Sequence, residues 1–167
     1  MAGYTRKIVV FEPPGSKKTM IANGAETYPG NAVTAEGETW PDFALPDAIG
    51  DSCFGIAGVP PGCDVDTVIG DNVETPIYLT GSGAIVYAYH KGAAGGGDVV
   101  IGDIMCSSTG ATGKLIPLHK ALAALVTEDT VTVLATSITR LYTLVGRAME
   151  THTSVTTHVP IQVRLSI

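Results

Sequence analysis

The chain has 167 residues, of which 45% are hydrophobic and 16% charged, with a formal net charge of −6. This length supports one domain with its own core, and the low charge fraction argues against disorder and favours a surface that partners cover. No apolar run approaches the ~20 residues of a membrane-spanning helix. The apolar run Ile8 to Phe11 is too short for a secretory signal, so we expect synthesis in the cytoplasm and no membrane association.

The charges are unevenly distributed. Residues 1–18 carry four bases and one acid, residues 19–90 carry ten acids and no Lys or Arg, and residues 91–167 carry six bases and five acids. The acidic stretch 19–90 argues against nucleic acid as a direct partner, because phosphate binding needs a dense basic stripe. Two interpretations of the basic N-terminus stay open: it docks on an acidic protein surface, or it only improves solubility.

Residues 1–30 are predicted to form an extended N-terminal arm with one edge strand, KIVVFE, because the following segment is rich in Gly and Pro and has no period. Residues 31–167 are predicted to form a β-barrel or sandwich body. In its first half, AVTAEGETW and SCFGIAGV are expected as strands, with DFALPDAIGD as a loop between them. PIYLT and AIVYAYH are predicted to form a hairpin around Gly81, Ser82 and Gly83.

The second half of the body continues the β pattern. VVIGDIMCSS and KLIPL are predicted as a hairpin-like pair, HKALAALV (119–126) as the one short helix, and VTVLATSITRLYTLVGRAME as two strands. In the last strand Ile161, Val163, Leu165 and Ile167 alternate with polar residues, which indicates one buried and one wet face. The predicted fold class is all-β: a compact β-barrel or sandwich with one short helix and the arm.

Motifs for catalysis or nucleotide binding are incomplete. GAAGGGD (92–98) is followed by a strand where a dinucleotide site needs a helix. GATGKL (110–115) has Leu115 where a P-loop needs Ser or Thr, GSKKT (15–19) lacks the first glycine, and no Gly-x-Ser-x-Gly elbow exists. We therefore expect no enzymatic activity and no cofactor.

Metal-binding patterns are also incomplete. No two of the four histidines (His90, His119, His152, His158) are spaced i, i+4 on a helix, although His152 and His158 flank a predicted turn that could bring them together. DVDTVIGDN lacks the ligand spacing of a calcium loop, so its aspartates Asp64, Asp66 and Asp71 are predicted to cap turns, with weak calcium binding as the alternative.

The three cysteines, Cys53, Cys63 and Cys106, form no C-x-x-C pair, which argues against a zinc knuckle or redox motif. Three interpretations stay open. They are small buried hydrophobic residues, Cys53 and Cys63 form a disulfide, or the odd cysteine crosslinks subunits. Either bond would form only in an oxidising medium.

Several short sequence segments occur in an order that resembles the small head decoration (cement) proteins of tailed bacteriophages and related archaeal viruses. The resemblance covers residues 28–167, and the phrases in order are YPGNAVTAEG, FGIAGVPPG, VIGDNVETPIYLTGSGAIVYAY, VVIGDIMCSSTGATGKLIPL, LVGRAME and VPIQVRLSI. The segment at about 115–140 is longer than the family pattern and is predicted to be an insertion.

The resemblance implies a β-rich virion protein without enzymatic activity, usually a homotrimer, on the exterior of the capsid at its threefold and quasi-threefold axes. Its partners would be the major capsid protein and two further copies of itself, and it would assemble in the host cytoplasm. Our candidates for capsid contact lie in the arm: Tyr4, Arg6, Lys7, Ile8, Val9, Phe11, Lys17 and Lys18.

Two rival functions remain. One is a β-sandwich module that binds glycans or a host surface, although Trp40 is the only tryptophan available for a sugar platform. The other is a small lyase or hydrolase on a β-barrel, which would need His and acidic side chains to converge in space.

Overall fold

The computed structural model describes residues 8–24, 26–35, 41–46, 51–92, 97–108, 112–123, 135, 143–153 and 159–166. In these residues the chain forms eleven strands and one short helix. They are β1 (Val9–Phe11), β2 (Lys17–Ala22), β3 (Ala32–Ala35), β4 (Asp42–Ala44), β5 (Gly55–Ala57), β6 (Glu74–Leu79), β7 (Ile85–His90), β8 (Ile104–Ser107), β9 (Leu115–Pro117), α1 (Leu118–Ala123), β10 (Leu144–Ala148) and β11 (Val159–Arg164). The prediction of an all-β fold is confirmed.

The strands form two sheets that, apart from β1, follow each other along the chain. Strands β2 to β6 close into a five-stranded barrel in the order β2-β4-β3-β5-β6, which we call the first barrel. The second sheet has the order β1-β7-β11-β10-β8-β9. A parallel pairing of β7 with β9, through His90 and Leu115, joins this sheet into a ring and leaves β1 at its edge.

Alternate residues along the strands of the first barrel pack into two different hydrophobic cores. Its interior is filled by Met20, Ala22, Val33, Phe43, Ala57, Ile69 and Ile77. Their neighbours Ala32, Ile56 and Tyr78 point the other way and join the core of the second sheet. All three residues of β5 are therefore buried, which is the pattern of a strand covered on both faces. Each large side chain buried in this way contributes about 1.5–3 kcal/mol.

The predicted hairpin around Gly81 and Gly83 is wrong. Strand β6 pairs with β2 and β5 in the first barrel, whereas β7 pairs with β1, β11 and β9 in the second sheet. Both backbone edges of β6 are already used, so β7 cannot pair with it. The two glycines do turn the chain, each with a φ of 76°, but the turn carries the chain from one sheet to the other.

Two further segments differ from the sequence-based expectation. Residues 17–22, placed in the arm, form β2, because Met20 and Ala22 fill the barrel interior while residues 17–19 face solvent. Asp42–Ala44, expected in a loop, forms β4 between β2 and β3. Both strands show too few alternating residues for the pattern to be recognised in the sequence.

Other predictions are confirmed. KIVVFE contains the edge strand β1, β8 and β9 pair antiparallel, and Ile161, Val163 and Leu165 are fully buried while Arg164 is exposed. The predicted helix is observed as α1, beginning at Leu118. The remainder of the predicted insertion lies outside the described residues, apart from residue 135, and it contains the first of the two strands predicted in VTVLATSITRLYTLVGRAME. The outer end of the strand AVTAEGETW also lies outside them.

Candidate interaction surface

The edge strand β1 carries the most exposed aromatic side chain among the described residues. Phe11 is 55% exposed and its neighbour Val10 is 50% exposed, whereas Ile8, just before the strand, is 7% exposed and belongs to the core. The backbone N–H of Tyr87 donates to the carbonyl oxygen of Ile8 at 2.7 Å. Because Ile8 anchors the strand, Val10 and Phe11 are held in place on the outside of the sheet.

A β-bulge explains why two consecutive residues of β1 both face solvent. Val9 lies opposite Val86 and Phe11 lies opposite Ile85, so Val10 is the extra residue. In a regular strand successive side chains would point to opposite faces; a bulge bends the strand and redirects them. A bulge also weakens a strand edge as a template for backbone pairing, so this surface would bind mainly through side chains.

An ion pair spans the turn that follows β1. The Lys17 ammonium lies 2.8 Å from a Glu12 carboxylate oxygen, and both side chains are largely exposed. The hydrogen bond to Glu12 is the main cause that raises the pKa of Lys17. Lys17 is thus partly neutralised within its own chain, which makes it a weaker candidate for docking than its position alone suggests.

A pocket of ≈ 290 Å³ lies beside β1. It is lined by Ile8, Val9, Val59, Cys63, Val65 and Tyr78, with Asp64 as the one carboxylate among the described lining residues. Burial is the main cause of the raised pKa of Tyr78, which keeps its hydroxyl neutral at ordinary pH. The pocket therefore presents mostly apolar side chains next to Val10 and Phe11.

A second exposed apolar patch is formed by Val100, Ile101 and Met149, which we call the turn patch. Val100 is 49% exposed and Ile101 62% exposed. Hydrogen bonds hold this turn: Val100 N–H donates to an Asp103 carboxylate oxygen at 2.8 Å, and Ile101 N–H donates to the Thr151 hydroxyl at 3.0 Å. The turn patch is therefore presented on a fixed backbone.

Only some of the N-terminal residues predicted to contact the capsid lie together on the described surface. Val9, Phe11, Lys17 and Lys18 lie at the surface or half-buried around β1 and β2, while Ile8 is buried. Tyr4, Arg6 and Lys7 lie outside the described residues. The sequence reasoning missed Val10 because in the run IVVF every residue is apolar, so the pattern does not show which side chains turn outward.

All three cysteines are free thiols in the structure, so no Cys53–Cys63 disulfide is formed. Cys53 and Cys106 are buried and Cys63 is partly exposed. Burial raises the pKa of Cys53 to about 12. This fits the interpretation of Cys53 and Cys106 as small buried residues and leaves Cys63 as the thiol that could reach another chain.

The predicted turn cap is confirmed for Asp64, whose carboxylate oxygen accepts a hydrogen bond from Val65 N–H at 2.8 Å. Asp71 instead makes a long-range contact, because it accepts a hydrogen bond from Gly24 N–H at 3.2 Å. Within the described ranges, no three His, Cys, Asp or Glu side chains converge as ligands for a metal ion.

The histidines have separate surroundings. His90 is fully buried and accepts a hydrogen bond from Gly92 N–H, His119 lies 3.8 Å from Asp103, and His152 lies 3.3 Å from Glu150. His158 lies outside the described residues, so its predicted approach to His152 stays a prediction.

Comparison with known proteins assigns no family: no protein-family model matches the sequence, and no curated protein does. Among the described residues, no helix has the length and apolar character needed to cross a bilayer.

Proposed function

We propose that this chain is a decoration protein of a tailed-virus capsid, which binds the outside of the capsid as a homotrimer and stabilises it. The observation that carries the proposal is the pair Val10 and Phe11, two exposed apolar side chains on an anchored edge strand directly after the basic N-terminal residues. Such a segment offers an apolar anchor with positive charge beside it, which suits a largely apolar site with an acidic rim on the capsid protein.

The turn patch supports the oligomeric part of the proposal. A ring of three copies uses heterologous contacts, in which one surface of a chain meets a different surface of the next. Val100 and Ile101 project beside the end of β10, while β1 is separated from β10 in the second sheet by β7 and β11. A chain with two separate apolar surfaces can use one for its own copies and the other for the capsid, and three linked copies bind with avidity.

The capsid contact is tested by binding to empty capsids assembled from the cognate major capsid protein. Deletion of residues 1–18 is unsuitable, because it removes the start of β2 and would open the first barrel. Deletion of residues 1–7 and the double substitution Val10→Ser with Phe11→Ser leave Ile8 and the barrel in place. We expect both variants to bind weakly, and the control Val68→Ser, which changes a residue 37% exposed elsewhere, to bind normally.

Full occupancy by both N-terminal variants would refute the proposed contact. The trimer is tested separately by sedimentation of the free protein and of Ile101→Ser. We expect a trimer that dissociates in the variant; a wild-type monomer both in solution and on capsids would refute the oligomeric part.

A further inference from the structure

A cleft of ≈ 430 Å³ lies where the first barrel meets the second sheet. Tyr28, Asn31 and Leu45 line it from the first barrel, and Tyr89, Thr112 and Lys114 line it from the second sheet, together with Glu26. Its volume falls in the range of small-molecule sites, which occur preferentially where two structural units meet. This cleft is separate from the surface around β1.

A tight turn fixes one wall of this cleft. Residues Tyr28-Pro29-Gly30-Asn31 form a turn closed by a hydrogen bond from Asn31 N–H to the Tyr28 carbonyl oxygen, 3.0 Å. Gly30 has a φ of 95°, which with Pro29 before it is the arrangement of a type II turn. The Asn31 side-chain oxygen also accepts a hydrogen bond from Tyr28 N–H at 2.8 Å. The position of Tyr28 is therefore set before any ligand arrives.

Tyr89 forms the facing wall and packs against the same turn. Its N–H donates to the Gly30 carbonyl oxygen at 3.0 Å, and a Cβ on Gly30 would lie only 3.2 Å from its ring. The glycine thus allows the ring to contact the turn backbone. Burial, with contributions from Asp66 and Tyr28, raises the pKa of Tyr89. The Tyr89 phenol therefore keeps its proton at ordinary pH and can exchange hydrogen bonds with a ligand hydroxyl.

Two lysines bring positive charge to the cleft. Lys114 lines it, and Lys91 is held nearby because its N–H donates to the carbonyl oxygen of Leu115 at 3.0 Å. Burial, and then the charge of Lys91, lowers the pKa of Lys114. Since residues 19–90 contain no Lys or Arg, these two ammonium groups stand out against an acidic body. An anionic ligand group would reduce the repulsion between them.

We propose that this cleft binds an acidic sugar, such as a uronic acid unit of a glycan. Tyrosine rings offer apolar faces to the C–H face of a sugar ring, while Glu26 can accept hydrogen bonds from its hydroxyl groups. Lys114, with Lys91 beside it, pairs with the sugar carboxylate through a charge-assisted hydrogen bond. A binding site for acidic glycans is a second activity of the chain, separate from capsid attachment, and it uses tyrosines where the sequence offered only one tryptophan.

The probe for the test is digalacturonic acid, titrated into ¹⁵N-labelled protein and followed by amide chemical shifts. We expect saturable shifts at Tyr28, Gly30, Tyr89 and Thr112. Neutral galactobiose should bind about tenfold more weakly, the loss expected for one charge-assisted hydrogen bond. A glutamate-rich peptide should leave these amides unchanged.

Two substitutions test the walls of the cleft. Lys114→Met keeps the aliphatic stem and removes the charge, and should weaken binding by about tenfold. Tyr89→Ala should abolish it. The matched controls are Lys120→Met, at an exposed lysine of α1, and Tyr87→Ala, at a tyrosine of β7 that does not line the cleft; both should bind normally.

Should Tyr89→Ala fail to fold, Lys114→Met still decides the matter. The proposal is overturned if the uronate gives no saturable shifts, if the shifts map elsewhere, or if Lys114→Met binds as well as Lys120→Met. Binding of the peptide in place of the sugar would also overturn it and would assign the cleft to an acidic protein segment. Capsid binding by the Lys114→Met variant should be unchanged, so the two proposals fail independently.

Discussion

Gly146 of β10 lies directly against the backbone of Arg164 in β11: a Cβ added to Gly146 would overlap the Arg164 carbonyl oxygen. The overlap is with backbone on the neighbouring strand, so no side-chain rotation relieves it. The glycine in LVGRAME is therefore a packing requirement of the second sheet.

Gly146→Ala should destabilise the protein by about 1–3 kcal/mol, the usual cost of overpacking a core. Gly70→Ala is the control, since a Cβ there meets only Val73, at 4.0 Å. Urea unfolding of the two variants measures the difference. Equal midpoints would mean that β10 and β11 can separate at little cost.

Glu150 has a specific role at the end of the same pair of strands. Its carboxylate oxygen accepts a hydrogen bond from Gln162 N–H at 2.6 Å and lies 3.3 Å from a nitrogen of His152. Glu150→Ala should cost about 1–3 kcal/mol, because it leaves a partly buried N–H without its acceptor. Glu150→Gln keeps an acceptor oxygen and should lose less; equal losses in the two variants would show that the charge, and not the hydrogen bond, matters here.

Thiol chemistry should separate the three cysteines. With Cys53 and Cys106 buried and Cys63 partly exposed, an aromatic disulfide reagent should react quickly with one thiol in the native protein and with all three after unfolding. Cys63→Ser should remove the fast reaction. A single accessible thiol per chain can link chains only in pairs, so non-reducing gels should show dimers at most. A ladder of larger species would contradict the observed burial.

Alkaline pH should destabilise the fold through Cys53. Burial raises its pKa from 9.0 to about 12, so between these values the unfolded chain has lost the thiol proton while the native chain retains it. Stability is then greatest below pH 9 and falls as pH rises, by up to about 1.4 kcal/mol per pH unit. Cys53→Ala should flatten this slope, whereas Cys63→Ser should leave it unchanged in unfolding measured across that range.

Salt should distinguish charge from apolar contact at the proposed capsid surface. Deletion of residues 1–7 removes Arg6 and Lys7 and should reduce the salt dependence of capsid binding, because exposed charges are screened beyond about 10 Å at 0.1 M salt. Phe11→Ser should weaken binding by a similar factor at every salt concentration. If capsid binding of the deletion variant still depended steeply on salt, basic residues other than Arg6 and Lys7 would carry the charge contact.

The sequence allowed prediction of elements where alternation is long and regular, as at Ile161, Val163 and Leu165. It did not show which sheet a strand joins: the turn at Gly81 and Gly83 has the composition of a hairpin, but strand partners depend on which backbone edges are already occupied. The side-chain directions of Val10 and Phe11 depend on a bulge in an all-apolar run. The cleft depends on Tyr28 and Tyr89, which are 61 positions apart in the sequence and meet only because the two sheets pack together.

The order of strands along the chain has a consequence for synthesis. All five strands of the first barrel lie within residues 17–79, so it can close as soon as these have left the ribosome. Strand β1 precedes the barrel in the chain but pairs with β7, which is made afterwards. The N-terminal segment must therefore stay unpaired while the barrel forms, as domains fold in order during translation. Strand β1 can therefore pair only after β7 has been synthesised. In a nascent chain halted after β6, the N-terminal segment should be cleaved by protease.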